Sequence, residues 1–293
     1  LPKVQRERVK AIGQELSQTS QKFSENLLDA TNAYELIIED EKRLAGIPEE
    51  TLALYRASAE AAGKKGFRLT LQYPSYLPAM KYCADRGIRE ALYRAFSTRA
   101  SEFDGGKFDN TPLIKRILEL RAEEASLLGF KNYGELSLAT KMAKSPAEVL
   151  DFLRDVARRS KPRAEDDVAQ VDAYARDELG IDKIEPWDRA YAAEKLREAR
   201  YSYSDAEVKR YFTQRAVFKG LFGLVEKLFG IEIEEAQASV WHPDVKYFEV
   251  KRNGEKIAAF YGARFLRQGV ASQSLIQRRP KIASGRVVIA FFH

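Results

Sequence analysis

Ser145-Pro146-Ala147-Glu148-Val149-Leu150-Asp151-Phe152-Leu153-Arg154-Asp155-Val156 decides the fold class. Ser145 and Glu148 form a capping box: the serine accepts from the backbone N–H three residues on, and the glutamate reaches back. Pro146 falls in the first turn, where a missing N–H costs nothing. Val149, Leu150, Leu153 and Val156 then return every three or four residues, the mark of a helix with one apolar face.

The same pattern repeats on both sides. Val9, Ile12, Leu16, Phe23 and Leu27 predict an amphipathic helix over the first thirty or so positions. Tyr34 to Ile38 is a short apolar run, either a turn or a brief strand. Pro48-Glu49-Glu50 places proline and acids in a first turn, as the helix dipole favours, and that helix should run to Gly63. Phe67 to Leu71 alternates like a half-buried strand. Helices are expected at 76–85 and 87–99, and Thr111-Pro112 reads as a cap with a first-turn proline. Pro162 should kink or end the helix begun at Ser145, and Gly180 should close the next segment. Ser204 and Glu207 make a second capping box. Paired apolar residues from Val217 to Phe229 predict a helix central to the core.

The period changes only after Gly230. Ile231 and Ile233 alternate with acids, and Lys246 to Phe260 reads as two strands around Asn253-Gly254, the strongest short hairpin signal. The expected fold is therefore mainly α, with a small β-hairpin element near 246–260. Three regions are expected: 1–86, 87–262, and an atypical tail over 263–293.

Composition narrows the function. With 293 residues, 45% apolar and 31% charged, the chain is neither disordered nor fibrous. Its one cysteine, Cys83, allows no internal disulfide and fits a reducing compartment. No stretch approaches the 18 or so apolar residues of a membrane span, and the absence of an initiator methionine reads as a trimmed or processed end. The net charge of +6 is local. Arg264, Arg267, Arg278, Arg279, Lys281 and Arg286 follow the last acid, Glu255, and without them 43 Lys+Arg face 43 Asp+Glu. A neutral body lacks the broad basic footprint of a nucleic-acid binder.

The 2 histidines, His242 and His293, cannot form HExxH. GxGxxG, GxxxxGK[ST] and GxSxG are also absent, and Gly63-Lys64-Lys65-Gly66 lacks the phosphate-loop spacing. His242 in Trp-His-Pro is read as structural, since one imidazole does not make a site. Cys83 is read as a buried, inert thiol. Glu123-Glu124 and Asp166-Asp167 are read as solvated surface, because adjacent residues do not share a helix face. Arg158, Arg159, Lys161 and Arg163 are read as cations at a helix end beside Pro162. Tyr73, Tyr76, Tyr82 and Tyr93 either line a channel or pack in core and rim.

Several blocks carry a resemblance. They are Tyr73-Pro74-Ser75-Tyr76 with Pro78 to Tyr82; Arg99-Ala100-Ser101; Phe108-Asp109-Asn110-Thr111-Pro112-Leu113-Ile114; and Leu118 to Arg121. Leu128 to Tyr133, Glu135 to Ala143, Pro186-Trp187-Asp188, Glu194 to Arg197 and Val240 to Val245 follow. In this order, across most of residues 1–262, the chain resembles the N-terminal part of thimet-oligopeptidase-like zinc metallopeptidases, in particular the bacterial oligopeptidase A branch. The resemblance implies a cytoplasmic, largely helical enzyme that hydrolyses short peptides inside a deep channel. It also implies zinc held by HExxH and a downstream glutamate, all C-terminal to the matched region. No catalytic, cofactor or metal residue of this chain corresponds to those, so the chain alone is expected to bind no zinc and to be inactive. From Gly262-Ala263-Arg264-Phe265-Leu266-Arg267 the sequence departs from the family's acidic strand. The alternative is a non-catalytic helical module that binds peptides or a protein. Neither nucleic acid nor membrane is expected as a partner.

Overall fold

A computed structural model describes residues 1–201, 208, 211–241, 245–263 and 286–289. They form a mainly helical chain that divides into two compact units, Leu1–Ser202 and Tyr203–His293. The expected 86/87 division falls inside the first unit.

In the first unit the helices are α1 (Lys3–Ala33), α2 (Glu49–Ala61), α3 (Tyr73–Tyr82), α4 (Arg86–Ser97), α5 (Thr111–Leu127), α6 (Tyr133–Leu138), α7 (Pro146–Leu179) and α8 (Arg189–Tyr201). Strands β1 (Leu36–Ile38) and β2 (Phe67–Leu69) pair antiparallel, with Ile37 opposite Arg68. Within the Tyr34–Ile38 run, Leu36–Ile38 is thus a brief strand. The core gathers where this ribbon meets α2, α3 and α4: Leu44, Tyr55, Leu69, Leu71, Ala79, Cys83, Ile88 and Leu92 are nearly or fully buried. Gly46 makes the close packing possible. Its φ is +92°, and a Cβ there would lie 2.3 Å from the Tyr82 carbonyl oxygen, so only glycine fits.

Beside this core α1 runs along α5. Their seam is tied by Arg8 on Glu123 and Arg116 on Glu15, each a two-bond fork. Buried Asn110 donates to the Phe23 carbonyl and accepts from Asn26. Asn110 is also the residue that precedes α5, with Thr111 already helical. The start therefore lies one residue earlier than the Thr111 cap expected, because Asp109 Oδ1 accepts the Thr111 N–H and frees Thr111 to enter the helix.

Two expectations fail, each for a physical reason. Of the two outcomes expected at Pro162, a kink or an end, the end does not occur: α7 runs 34 residues from the Ser145 cap to Gly180 at φ +65°. The bond that proline forfeits belongs to the Arg158 carbonyl, on a stretch open to water, and pairs Lys161–Glu165 and Arg163–Asp167 bracket the site. Arg158, Arg159, Lys161 and Arg163 therefore lie mid-helix, not at an end.

In the second unit, α9 (Gln214–Phe229) is likewise not a central core helix. Phe218 and Phe222 pack on Phe248, while Val217, Leu224, Leu228 and Phe229 are 46–65% exposed. It lies on a sheet of β3 (Glu232–Ala236), β4 (Val245–Arg252), β5 (Glu255–Ala263) and β6 (Arg286–Ile289). β3–β4–β5 are antiparallel and β6 joins β5 in parallel. The hairpin turns at Asn253-Gly254, both at positive φ, as a two-residue primed turn requires. The capping box at 204–207 and most of the 263–293 tail lie outside the described residues.

Candidate functional site

The most deeply buried charges of the first unit sit where the start of α4 meets the start of α8. Asp188 is fully buried and Arg89 is 1% exposed. Sequence explains the placement: Ile88 and Leu92 face the core, and Arg89 lies beside them on the same helix. Pro186-Trp187 turns the chain so that Asp188 precedes α8.

The carboxylate is saturated. Its Oδ1 accepts from Arg89 Nη2 at 2.8 Å, and its Oδ2 accepts from Arg86 Nη2 at 2.7 Å and the Glu185 N–H at 3.1 Å. Arg89 also donates from Nη1 to the Cys83 and Ala84 carbonyls and from Nε to the Trp187 carbonyl. Its guanidinium also lies 4.3 Å from the centre of the Tyr191 ring. Burial pushes the Asp188 carboxyl up, but the hydrogen bonds from Arg86 and Arg89 outweigh it and hold the carboxyl below its ordinary value. A carboxylate with every acceptor site engaged is a strut and leaves no lone pair for a proton or a metal.

Six residues on, within α8, Glu194 is 4% exposed and pairs with Arg197 and with Lys81 on α3. The blocks around Lys81, Asp188 and Glu194 are thus brought together, and the chemistry they share is structural. Arg89 was not legible as a member, since its partner lies 99 residues away; the only signal was an arginine one step from two inward-facing apolar residues. Beside Asp188 an open groove of about 620 Å³ is lined by Arg86, Glu90, Lys183, Glu185 and Trp187 among others.

The other candidates separate cleanly. Cys83 is buried, burial pushes its thiol up, and its sulfur rests on the Arg43 carbonyl, so it is no nucleophile. Tyr76 stacks on Phe96 in the core, and Tyr82 and Tyr93 pack against that core; Tyr73 is 67% exposed at its rim. Glu123 is not merely solvated surface, since it forks onto Arg8 across helices. Asp167 pairs with Arg163, and Arg158 and Arg159 pair with Asp155. His242 and His293 lie outside the described residues. Among the described residues no group of three or more His, Cys, Asp or Glu could hold a metal. With only 2 histidines in the whole sequence, far apart, the donor set does not fit the zinc site that the resemblance implies. No helix among the described residues is long and apolar enough to cross a membrane.

Residues 79–276 match the model of Peptidase family M3, well over half of the chain. The chain belongs to that family. It is 46% identical over 265 residues to oligopeptidase A of Salmonella typhimurium and equally to that of Escherichia coli, covering 89% of this chain and 39% of each relative. With dipeptidyl carboxypeptidase of Escherichia coli it shares 34% over 274 residues, or 91% of this chain and 40% of that protein. The chain therefore spans about two fifths of the length of the curated relatives it matches. The family match also runs beyond Gly262, where the sequence reading placed the departure.

Proposed function

We propose that this chain is the N-terminal helical part of a zinc-dependent oligopeptidase of the oligopeptidase A type, a cytoplasmic enzyme that hydrolyses short peptides. In that reading it contributes one wall of the peptide channel and part of the scaffold under a zinc-bearing helix that it does not itself contain. The observation that carries the reading is the 46% identity to proteins named oligopeptidase A, over 89% of this chain but only 39% of theirs. Ionisable clusters used as struts, around Asp188 and Glu194, support a scaffold role.

The zinc of such an enzyme would activate a water and polarise the scissile carbonyl. The sequence holds no HExxH, the buried carboxylates among the described residues, Asp188 and Glu194, are paired, and no step through the metal is assigned to this chain. The purified chain is expected to carry no stoichiometric zinc and to leave a fluorogenic oligopeptide intact. One zinc per chain with peptide cleavage would contradict the reading. Salt-insensitive peptide binding without cleavage would favour the alternative, a non-catalytic binding module; a steep loss of binding with salt would instead indicate a nucleic-acid partner.

A further inference from the structure

The N-terminal half of α7 presents an apolar face that nothing among the described residues covers. From residue 150 to 169 every position but Asp155 is exposed. Phe152, Leu153 and Val156 are 67, 54 and 46% exposed; Ser160 extends the same face at helical spacing, and half-buried Val149 borders it. The opposite side is charged and satisfied within the helix itself: Arg154 pairs with Asp151, and Arg158 and Arg159 pair with Asp155. A charged side whose ions are paired within the helix and an apolar side left open is the pattern of a helix built to be covered on one face.

We propose that this face, Val149, Phe152, Leu153, Val156 and Ser160, is the seat of a neutral, apolar surface of the polypeptide that the M3 relatives carry beyond the matched region. The inference rests on the reading of this chain as part of an oligopeptidase. Two observations select that occupant. The helix lies inside the family match at 79–276, yet the chain spans only 39% of each oligopeptidase A relative, so most of a relative's polypeptide is available to cover it. A second copy is too small a partner: twelve helical residues span about 18 Å, and a seam about 10 Å wide falls far short of the roughly 1,200 Å² at which stable interfaces begin.

The test is hydroxyl-radical footprinting of Phe152, Leu153 and Val156 in two proteins. One is the 293-residue chain; the other is a chimera carrying residues 1–262 in place of the matched segment of Escherichia coli oligopeptidase A. The three side chains should be oxidised several-fold more slowly in the chimera. Leu153→Asp with Val156→Asp should lower the melting temperature of the chimera and leave that of the chain unchanged. Equal oxidation in the two proteins overturns the proposal. So does protection in the chain alone that grows with its concentration, which would make a second copy the occupant. Should the chimera prove insoluble, the aligned side chains of intact Escherichia coli oligopeptidase A decide: protection supports the seat, and free oxidation overturns it. A chimera that cleaves peptides with the face still open sinks this inference and spares the oligopeptidase reading. A protected but inactive chimera does the reverse.

Discussion

Asp188 holds two arginines from another helix while fully buried. Asp188→Asn should destabilise the first unit by about 3 kcal/mol, because Arg89 would be left buried without its counter-charge. Urea unfolding measures this; a change under about 0.5 kcal/mol, the size of an ordinary surface substitution, would mean that water screens the cluster. Arg86, 49% exposed, contributes the smaller share. The sign with pH follows from a folded pKa held below the unfolded one. The contribution is present above the unfolded value of about 3.9 and is lost as pH falls through the lower folded value. Thermal unfolding followed from pH 7 downward should therefore show a steeper acid loss in the wild type than in Asp188→Asn. Gly46→Ala tests a different residue-level constraint. With φ at +92° and the Tyr82 oxygen 2.3 Å from any Cβ, the substitution should cost at least about 1–3 kcal/mol, and a neutral result in the same assay would contradict the packing described. Neither Arg89 nor Gly46 was legible in the sequence, since each is defined by a partner that the fold brings from a distance.

At the scale of elements, local chemistry was readable wherever it is self-contained. The Ser145 capping box, the Gly180 stop and the Asn253-Gly254 turn all depend on residues within one turn of each other, and the structure has them as read. Pro162 is where the local rule gave way. Its penalty is real but finite, and a water-exposed 34-residue helix with ion pairs on both sides absorbs it. Pro162→Ala should therefore stabilise α7 by about 2 kcal/mol, the helix-interior penalty less the entropy that proline removes from the unfolded chain. Amide exchange across residues 155–170 should slow; unchanged or faster exchange would mean that the helix bends at Pro162 to relieve the strain. The reading of α9 as central failed for another reason: a wide apolar face says that a helix needs cover, not that one chain supplies it on every side.

Across the whole molecule, mainly α architecture with a small sheet was legible from periodicity, and the family from blocks spread in order over most of residues 1–262. What could not be read was the division at 202/203, because no composition break marks it in the sequence. The candidate site also stayed out of reach of spacing arguments. Its charged blocks are matched in sequence to a peptidase, but in the fold they brace helices. Exposed apolar faces on α7 and α9 fit a chain that spans 39% of its oligopeptidase A relatives. The most direct measurement is the rate at which the chimera of residues 1–262 with the rest of Escherichia coli oligopeptidase A cleaves a fluorogenic oligopeptide, alongside the isolated chain. The account predicts zinc-dependent cleavage within about tenfold of the parent enzyme, a difference of about 1.4 kcal/mol in the barrier, and none by the chain alone. A soluble, zinc-loaded chimera without activity, or cleavage by the isolated chain, would contradict it.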